Sequence, residues 1–391
     1  MKILFEMTSS FSNPSTSGHL MEAIIVRLAE QGHDVHVLQM LKPDDDLILP
    51  DTLKEYNIKT DGVRVKPQKK NNYVARYLYA LKHCYLYKRI LIEQNDADAI
   101  FIQSTNAAGL TVWMARRYLK KAVVTFNVQD IFPYNLMYSG KLKRNSILFK
   151  GLAAIQRYGY QNADHVITIS EDMKDTLVKD GTDAQKIDVI YNWSYQDKLY
   201  EETNIVPIEN MFDRKFFNVV YAGNIGALQN VELLVKSAYL MKEDKSVWFH
   251  IIGNGVNKEK VEKAAKGYGI VNISFWPMQN PAFAPAIYSS ADVNIIPLAK
   301  DVYRTALPSK TATCLACQKP IIFAIGKDSE FGKKARDEAG CLLIDPDDPK
   351  ELVSAILKVK KGEYKNNAGE FFLKYCTITE NSGRYAEIIV R

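Results

Sequence analysis

No stretch of the 391 residues approaches the roughly 18 uninterrupted apolar residues that a membrane-spanning helix needs. The opening MKILFEMTSS turns polar too soon for a secretory h-region. Cysteine is scarce and odd in number, five in all (Cys84, Cys314, Cys317, Cys341, Cys376), which suggests reduced thiols in the cytoplasm. Cys314 and Cys317 form a Cys-x-x-Cys pair, but structural zinc needs a second pair at matched spacing and the chain has none. Buried apolar cysteines are the better reading. A full G-x-G-x-x-G is missing after every strand-like run, "IIGNG" (251–255) included, which removes the fingerprint of a nicotinamide dinucleotide site. "DDD" (44–46) sits in an acidic loop without the context of a metal site.

Acids are missing from two windows. Between Asp61 and Glu93 the charges are all basic (Arg64, Lys66, Lys69, Lys70, Arg76, Lys82, Lys88, Arg89), interleaved with Tyr73, Tyr77, Tyr79, Tyr85 and Tyr87. From Ile131 to Ala163, Lys141, Lys143, Arg144, Lys150 and Arg157 stand among Phe132, Phe149, Leu152 and Tyr158. Such helices can lie on an anionic bilayer surface, or simply form a solvated face. No helix-turn-helix, zinc-finger or RNP-like pattern accompanies the charge, so nucleic acid is not the expected partner.

What is present is an alternation of short β-like runs with helical periodicity, in a chain that is 47% hydrophobic and 25% charged with a net charge of +6. "KILFEM", "DVHVLQM", "AIFIQS", "KAVVTFN", "HVITIS" and "DVIYN" make a first series. "FNVVYAGN", "WFHIIGNG", "ISFWPM", "VNIIPL", "PIIFAI" and "CLLI" make a second, after a polar stretch (195–215) that looks like a linker. Two Rossmann-like domains are expected, over 1–205 and 206–375, with a last helix over 376–391 packing back on the first. Ligands of such sheets bind beyond the carboxyl ends of the strands, here in a cleft between the two.

"RTALPSKTATCLACQKP" (304–320) lies at such an edge, with Ser309 and Lys310 where a helix begins. Free backbone N–H groups, a mobile lysine and the Arg304 fork suit a phosphate; an ordinary N-cap with a surface lysine also fits. Gly223 and Gly226 in "AGNIGALQN" would let backbone approach a phosphate closely, and Gly18 opens a helix after another strand–loop turn, beside His19.

Taken in order, "GHL…RLAEQGHDVHVL", "ADHVITIS…DVIYN", "VVYAGNIG…VELLVKSA", "FHIIGNG", "SSADVNIIPL", "LPSK" and "QKPIIFAI…AGCLLIDPDDPKELVSAI" resemble the family-4 retaining glycosyltransferases across nearly the whole chain. "QDIFP" (129–133) with "LPSK" is similar to the bacterial branch that builds capsule, O-antigen and exopolysaccharide units. The resemblance implies the α/β GT-B fold, with a nucleotide-sugar held by the second domain, the acceptor by the first, and no metal or other cofactor. It implies a UDP-sugar donor and a polyprenyl-diphosphate-linked saccharide acceptor, at the inner face of the cell membrane. It also exposes departures. Asn224 and Gln229 stand where the family's diphosphate-binding Arg and Lys belong, and Thr305 and Thr313 where its paired glutamates belong.

The diphosphate role therefore moves to Lys310, Ser309, Arg304, Asn224, Gly223 and Gly18. The donor sugar would meet Thr305, Ala306 and Leu307, and the nucleoside Gly253, Pro277, Met278 and Thr313. Asp130 is the candidate for acceptor orientation or proton acceptance, needing no unusual pKa; capping a loop before Pro133 is its alternative. Glu6, placed just past the first strand, and His19 fall on the acceptor side. Ser170 and Asn192 match family positions that can also merely brace the edge. Two other readings stay open: a degenerate GT-B scaffold, and a GT-B sugar-nucleotide epimerase.

Overall fold

The computed structural model describes residues 1–13, 17–64, 73–201, 208 and 211–391, with side chains at all of these except 73–80, 83 and 84. Lys66, Lys69 and Lys70, the side chains of Tyr73, Arg76, Tyr77, Tyr79 and Cys84, and most of the linker stretch from 202 to 210 lie outside the described residues.

The first unit comprises Met1–Asn192 and Ile378–Arg391. Its elements are β1 (Lys2–Met7), α1 (Gly18–Glu30), β2 (Asp34–Leu41), α2 (Asp51–Lys54), β3 (Lys59–Arg64), α3 (Tyr73–Glu93) and β4 (Ala99–Gln103). Then come α4 (Ala108–Tyr118), β5 (Val123–Val128), α5 (Tyr134–Tyr138), α6 (Ile147–Asn162), β6 (His165–Thr168), α7 (Glu171–Lys179) and β7 (Ile187–Val189). The second unit, Trp193–Thr377, carries β8 (Phe217–Ala222), α8 (Glu232–Leu240), β9 (Val247–Ile252), α9 (Lys258–Gly267), β10 (Ile273–Trp276) and α10 (Ala284–Ser289). It continues with β11 (Val293–Pro297), α11 (Thr311–Ala316), β12 (Ile321–Ala324), α12 (Glu330–Ala339), β13 (Leu342–Ile344), α13 (Pro349–Lys360) and α14 (Ala368–Tyr375). The last helix, α15 (Ile378–Val390), returns to the first unit.

Both sheets are parallel, with orders β3-β2-β1-β4-β5-β6-β7 and β10-β9-β8-β11-β12-β13. In each the order reverses beside the first strand, the topological switch point where ligands of open α/β sheets collect. Continuous apolar runs such as Ile3, Leu4 and Phe5, all 0% exposed, fit strands covered on both faces. In the second unit the aliphatic core of β8, β9 and β11 packs under α8 and α13 through Leu233, Leu234, Leu352 and Ile356.

The division falls at 192–193 rather than near 205. Trp193 and Ser194 are buried, and the Tyr200 N–H donates to the Ala316 carbonyl at 3.0 Å, so 193–200 is stitched onto α11 instead of linking. At the other end, Asn381 Nδ2 donates to the Tyr191 carbonyl at 2.8 Å, and Tyr385 and Ile389 are buried, which fastens α15 to the first unit.

Candidate active site

At the carboxyl edge of the second sheet three strand ends stand in line. The Gly223 N–H donates to the Ile252 carbonyl at 2.9 Å, and the Gly253 N–H to the Trp276 carbonyl at 3.1 Å. A Cβ on Gly253, whose φ is +146°, would lie 1.8 Å from the Gly223 carbonyl oxygen, so only glycine allows the two loops to touch. Lys310, the residue before α11, sends Nζ onto this edge. It donates to the Ala222 carbonyl at 2.6 Å and lies 4.0 Å from the centre of the Tyr221 ring. A Cβ at position 223 would sit 2.4 Å from that Nζ, so Gly223 clears the space for the cation. Tyr288 Oη also donates to the Ala222 carbonyl, at 3.3 Å, and Tyr221 Oη donates to the Asn224 carbonyl at 2.5 Å.

Lys310 is half-buried overall, but its charged end is turned into protein, and burial pushes its ammonium down to about 8. One carbonyl and one ring face hold the charge in place of water. The helix that follows has six residues, so little of the attraction for an anion comes from its dipole. The charge at this edge is that of side chains: Lys310, and Lys258, whose Nζ donates to the Gly253 carbonyl at 3.2 Å.

The other expected donor residues divide. Asn224 is exposed, its Nδ2 donating to Gln229 Oε1 at 3.1 Å; Ser309 is exposed too. Pro277 and Met278 follow β10 and are exposed beside the Gly253 contact. Arg304 is not a free fork: Nε lies 3.2 Å from Asp301 Oδ1, and its guanidinium stacks 4.8 Å over the Tyr303 ring. Ala306 and Leu307 are half-buried. The threonines do not present the hydroxyls expected of them. Thr305 is 2% exposed and donates to the Val302 carbonyl at 3.1 Å, closing its own turn. Thr313 is buried with its hydroxyl 3.0 Å from Ser194 Oγ, joining α11 to the 193–200 segment. Cys314 and Cys317 are buried, and Cys317 Sγ lies 3.5 Å from the Pro285 carbonyl. Burial pushes the Cys317 thiol up to about 12, as suits core cysteines. Among the described residues no three His, Cys, Asp or Glu converge as metal ligands.

The carboxyl edge of the first sheet is built from amides and carboxyls. Gln103, ending β4, accepts from the Thr8 N–H at 2.8 Å and the Thr8 hydroxyl at 3.0 Å, and donates to Ser17 Oγ at 3.1 Å. That bond fixes the entry of α1, where Gly18 is buried and His19 half-buried. Glu6 is not past the strand but inside β1, opposite Leu38 and Ile102, and 1% exposed. Among the described residues its Oε2 has no hydrogen-bond partner, and burial raises the carboxyl to about 8. Asp130 reaches water, yet protein crowds it closely enough to raise its carboxyl to about 6 by loss of hydration. Its pKa is tuned after all, and its exposure tells against a larger shift.

The residue before it, Gln129, is held from three sides. Its Nε2 donates to Asn127 Oδ1 at 3.2 Å and Tyr385 Oη at 3.4 Å, and its Oε1 accepts from Asn192 Nδ2 at 2.8 Å. Asn192 thus braces the Asp130 loop, while Ser170 caps α7 by accepting from the Met173 N–H at 3.2 Å. Sequence reasoning missed Tyr221, Tyr288, Gln103 and Tyr385. The tyrosine of "VVYAGN" was a signal, being an aromatic directly before the glycine loop. Tyr385 lies 258 positions from its partner Asn127, beyond any local pattern.

Two parallel sheets, each reversing its strand order beside its first strand, define a doubly wound α/β class of two Rossmann-like units. Residues 18–193 match the family described as Glycosyltransferase Family 4, and residues 217–361 match Glycosyl transferases group 1. The chain belongs to these glycosyltransferases, in their GT-B fold, and is an enzyme of glycosyl transfer. It is 24% identical over 354 residues to WbjE of Pseudomonas aeruginosa, named as a probable glycosyltransferase, covering 88% of this chain and 86% of that one. It is 26% identical over 210 residues to WcaI of Escherichia coli K12, a glycosyl transferase provisionally named for colanic acid biosynthesis, covering 52% and 51%. Anabaena HepE, solved in complex with UDP and glucose, superposes with a TM-score of 0.69 at 14% identity, over 99% of this chain and 98% of that one.

Proposed function

We propose that the chain transfers a sugar, with retention, from a UDP-sugar to a polyprenyl-diphosphate-linked saccharide in bacterial surface-polysaccharide synthesis, at the inner face of the cell membrane. The observation that carries the proposal is Lys310. Its ammonium rests on one carbonyl and one ring, over a glycine that leaves it space, and can turn toward a diphosphate without rebuilding the fold. The colanic acid assignment of WcaI and the UDP and glucose in HepE favour this substrate class.

In the step proposed, the acceptor hydroxyl oxygen bonds to the anomeric carbon on the face from which the diphosphate departs. The anomeric C–O bond breaks with its electron pair going to the β-phosphate oxygen. The hydroxyl proton passes to that phosphate or to the Asp130 carboxylate. Lys310 offsets the charge growing on the leaving group, where a placed cation counts most. The proposal assigns that neutralisation to Lys310 rather than to a metal. Among the described residues no helix is long and apolar enough to cross a membrane, so contact with a lipid acceptor would be peripheral.

Calorimetric titration with UDP in the presence of chelator tests this, beside Lys310→Ala and the double change of Cys314 and Cys317 to Ala. Binding weakened about tenfold or more only in the lysine variant is expected, one removed charge-assisted contact being worth that much. Metal-dependent binding that vanishes with the cysteines would sink the reading.

A further inference from the structure

Helices α3, α4 and α6 lie side by side on one face of the first sheet, with α4 and α6 in close backbone approach. A Cβ on Gly159 would stand 2.8 Å from the Gly109 Cα. In the sequences of these three helices Glu93 is the sole acid, and it is paired with Arg89 at 2.8 Å. Their outward residues are nonetheless not merely basic. Along α6 the exposed line reads Ile147, Gly151, Ala154 and Tyr158, flanked by exposed Lys150 and Arg157. On α4 it reads Trp113 and Arg117, and on the described part of α3 it includes Tyr85, Leu86 and Ile92.

The start of α6 is the sharpest feature. Ile147 is 90% exposed and Leu148 51%, immediately after exposed Lys143 and Arg144. The turn is fixed, because Ser146 accepts from the Phe149 N–H at 3.2 Å while Phe149 and Leu152 anchor the inner side. Among the described residues almost none of the Ile147 side chain is covered. An apolar line between cations, with acids removed, is the pattern of a helix that rests in a lipid interface. Nucleic acid would use the cations but leave Ile147 and Leu148 idle.

We propose that this face docks on an anionic bilayer, with Ile147 and Leu148 entering the headgroup boundary and Lys143, Arg144 and Lys150 meeting lipid phosphates. The inference deepens the reading of a lipid-linked acceptor and is tested apart from it. Flotation would be measured with phosphatidylcholine vesicles, with and without phosphatidylglycerol, for the full chain, for Ile147→Ser with Leu148→Ser, and for Arg144→Gln with Lys150→Gln. Binding only to anionic vesicles is expected, weakened about tenfold or more by the serine pair. Each lost cation should weaken it about fivefold. UDP binding, followed by calorimetry, should be unchanged in every variant. Absence of UDP binding in the unaltered chain would fault the proposed UDP-sugar donor and leave the docking result standing. Flotation equal on neutral and anionic vesicles, no flotation, or serine variants that float like the parent would overturn the proposal. So would single-stranded DNA binding that the glutamine variants lose.

Discussion

The carboxyl edges of the two sheets share an architecture and differ in charge. The second carries Lys310, with Lys258 Nζ also donating to the Gly253 carbonyl at 3.2 Å, and the first carries the buried Glu6 and the exposed Asp130. Burial pushes the lysine down to about 8 and Glu6 up to about 8, and partial loss of hydration raises the more exposed Asp130 to about 6. What separates them is partnership. The Lys310 ammonium keeps a carbonyl at 2.6 Å and a ring face at 4.0 Å, so it stays charged at neutral pH and stands ready for an anion. Glu6 Oε2 has no partner among the described residues, and burial, which raises the carboxyl to about 8, favours its protonated form at neutral pH. Asp130 alone combines contact with water and a pKa below neutrality, the condition for taking a proton from a hydroxyl. Under the proposed function the Lys310 edge would take the diphosphate and the Asp130 edge the acceptor hydroxyl.

Removing the cation should break the comparison most severely. Lys310→Ala is expected to lower kcat/KM for transfer by about a hundredfold to a thousandfold, the usual cost of one preorganised charge at a departing group. Because the ammonium strengthens binding, UDP affinity should fall as pH rises through about 8 and level off near the affinity of Lys310→Ala, about tenfold or more lower. In Lys310→Ala that slope should be absent. A parent enzyme whose UDP affinity stays level across this range would show that another group neutralises the diphosphate.

On the opposite edge the expected loss is smaller, since the leaving phosphate can also accept the proton. Asp130→Asn should reduce kcat by about tenfold to a hundredfold. The parent needs the carboxylate, so its rate should climb as pH rises through about 6, and the asparagine variant should lack that limb. A pH–rate profile with the limb intact in Asp130→Asn would reduce Asp130 to a cap of the loop before Pro133.

The alternation of apolar strands with helical periodicity made both sheets legible, because a strand buried on two faces leaves an unbroken run such as "KILF". The place of Lys310 at a strand–loop–helix edge was legible too, and its Nζ lies on the Ala222 carbonyl there; its diphosphate role belongs to the proposal. What could not be read was which hydroxyls are already taken. Thr305 and Thr313 stand where the family resemblance places glutamates, but one closes its own turn and the other holds Ser194, a bond across 119 positions. The polar stretch at 195–200 read as linker, yet its Tyr200 is docked on α11. Glu6 was misjudged for a related reason. One acid in an apolar strand looks like the strand's end, and only the sheet register places it between Leu38 and Ile102.

That register gives the gentlest test, one directed at stability rather than turnover. Glu6 has a folded pKa raised from 4.5 to about 8, so between those values the folded chain holds a proton that the unfolded chain has released. Stability must then fall as pH rises across the window, and is fully retained only below the unfolded value. The loss should be about 2–4 kcal/mol, less than the full shift implies, because a strained carboxylate draws in water. Glu6→Gln keeps the shape and removes the proton, so its urea midpoint should stay level from about pH 5 to about pH 8 while the parent's declines. Transfer activity at neutral pH should change by less than about threefold, the parent carboxyl being uncharged there as well. If the variant instead raised KM for the acceptor with no change in the stability profile, Glu6 would belong to the acceptor site, and the first edge would offer two working carboxyls rather than one.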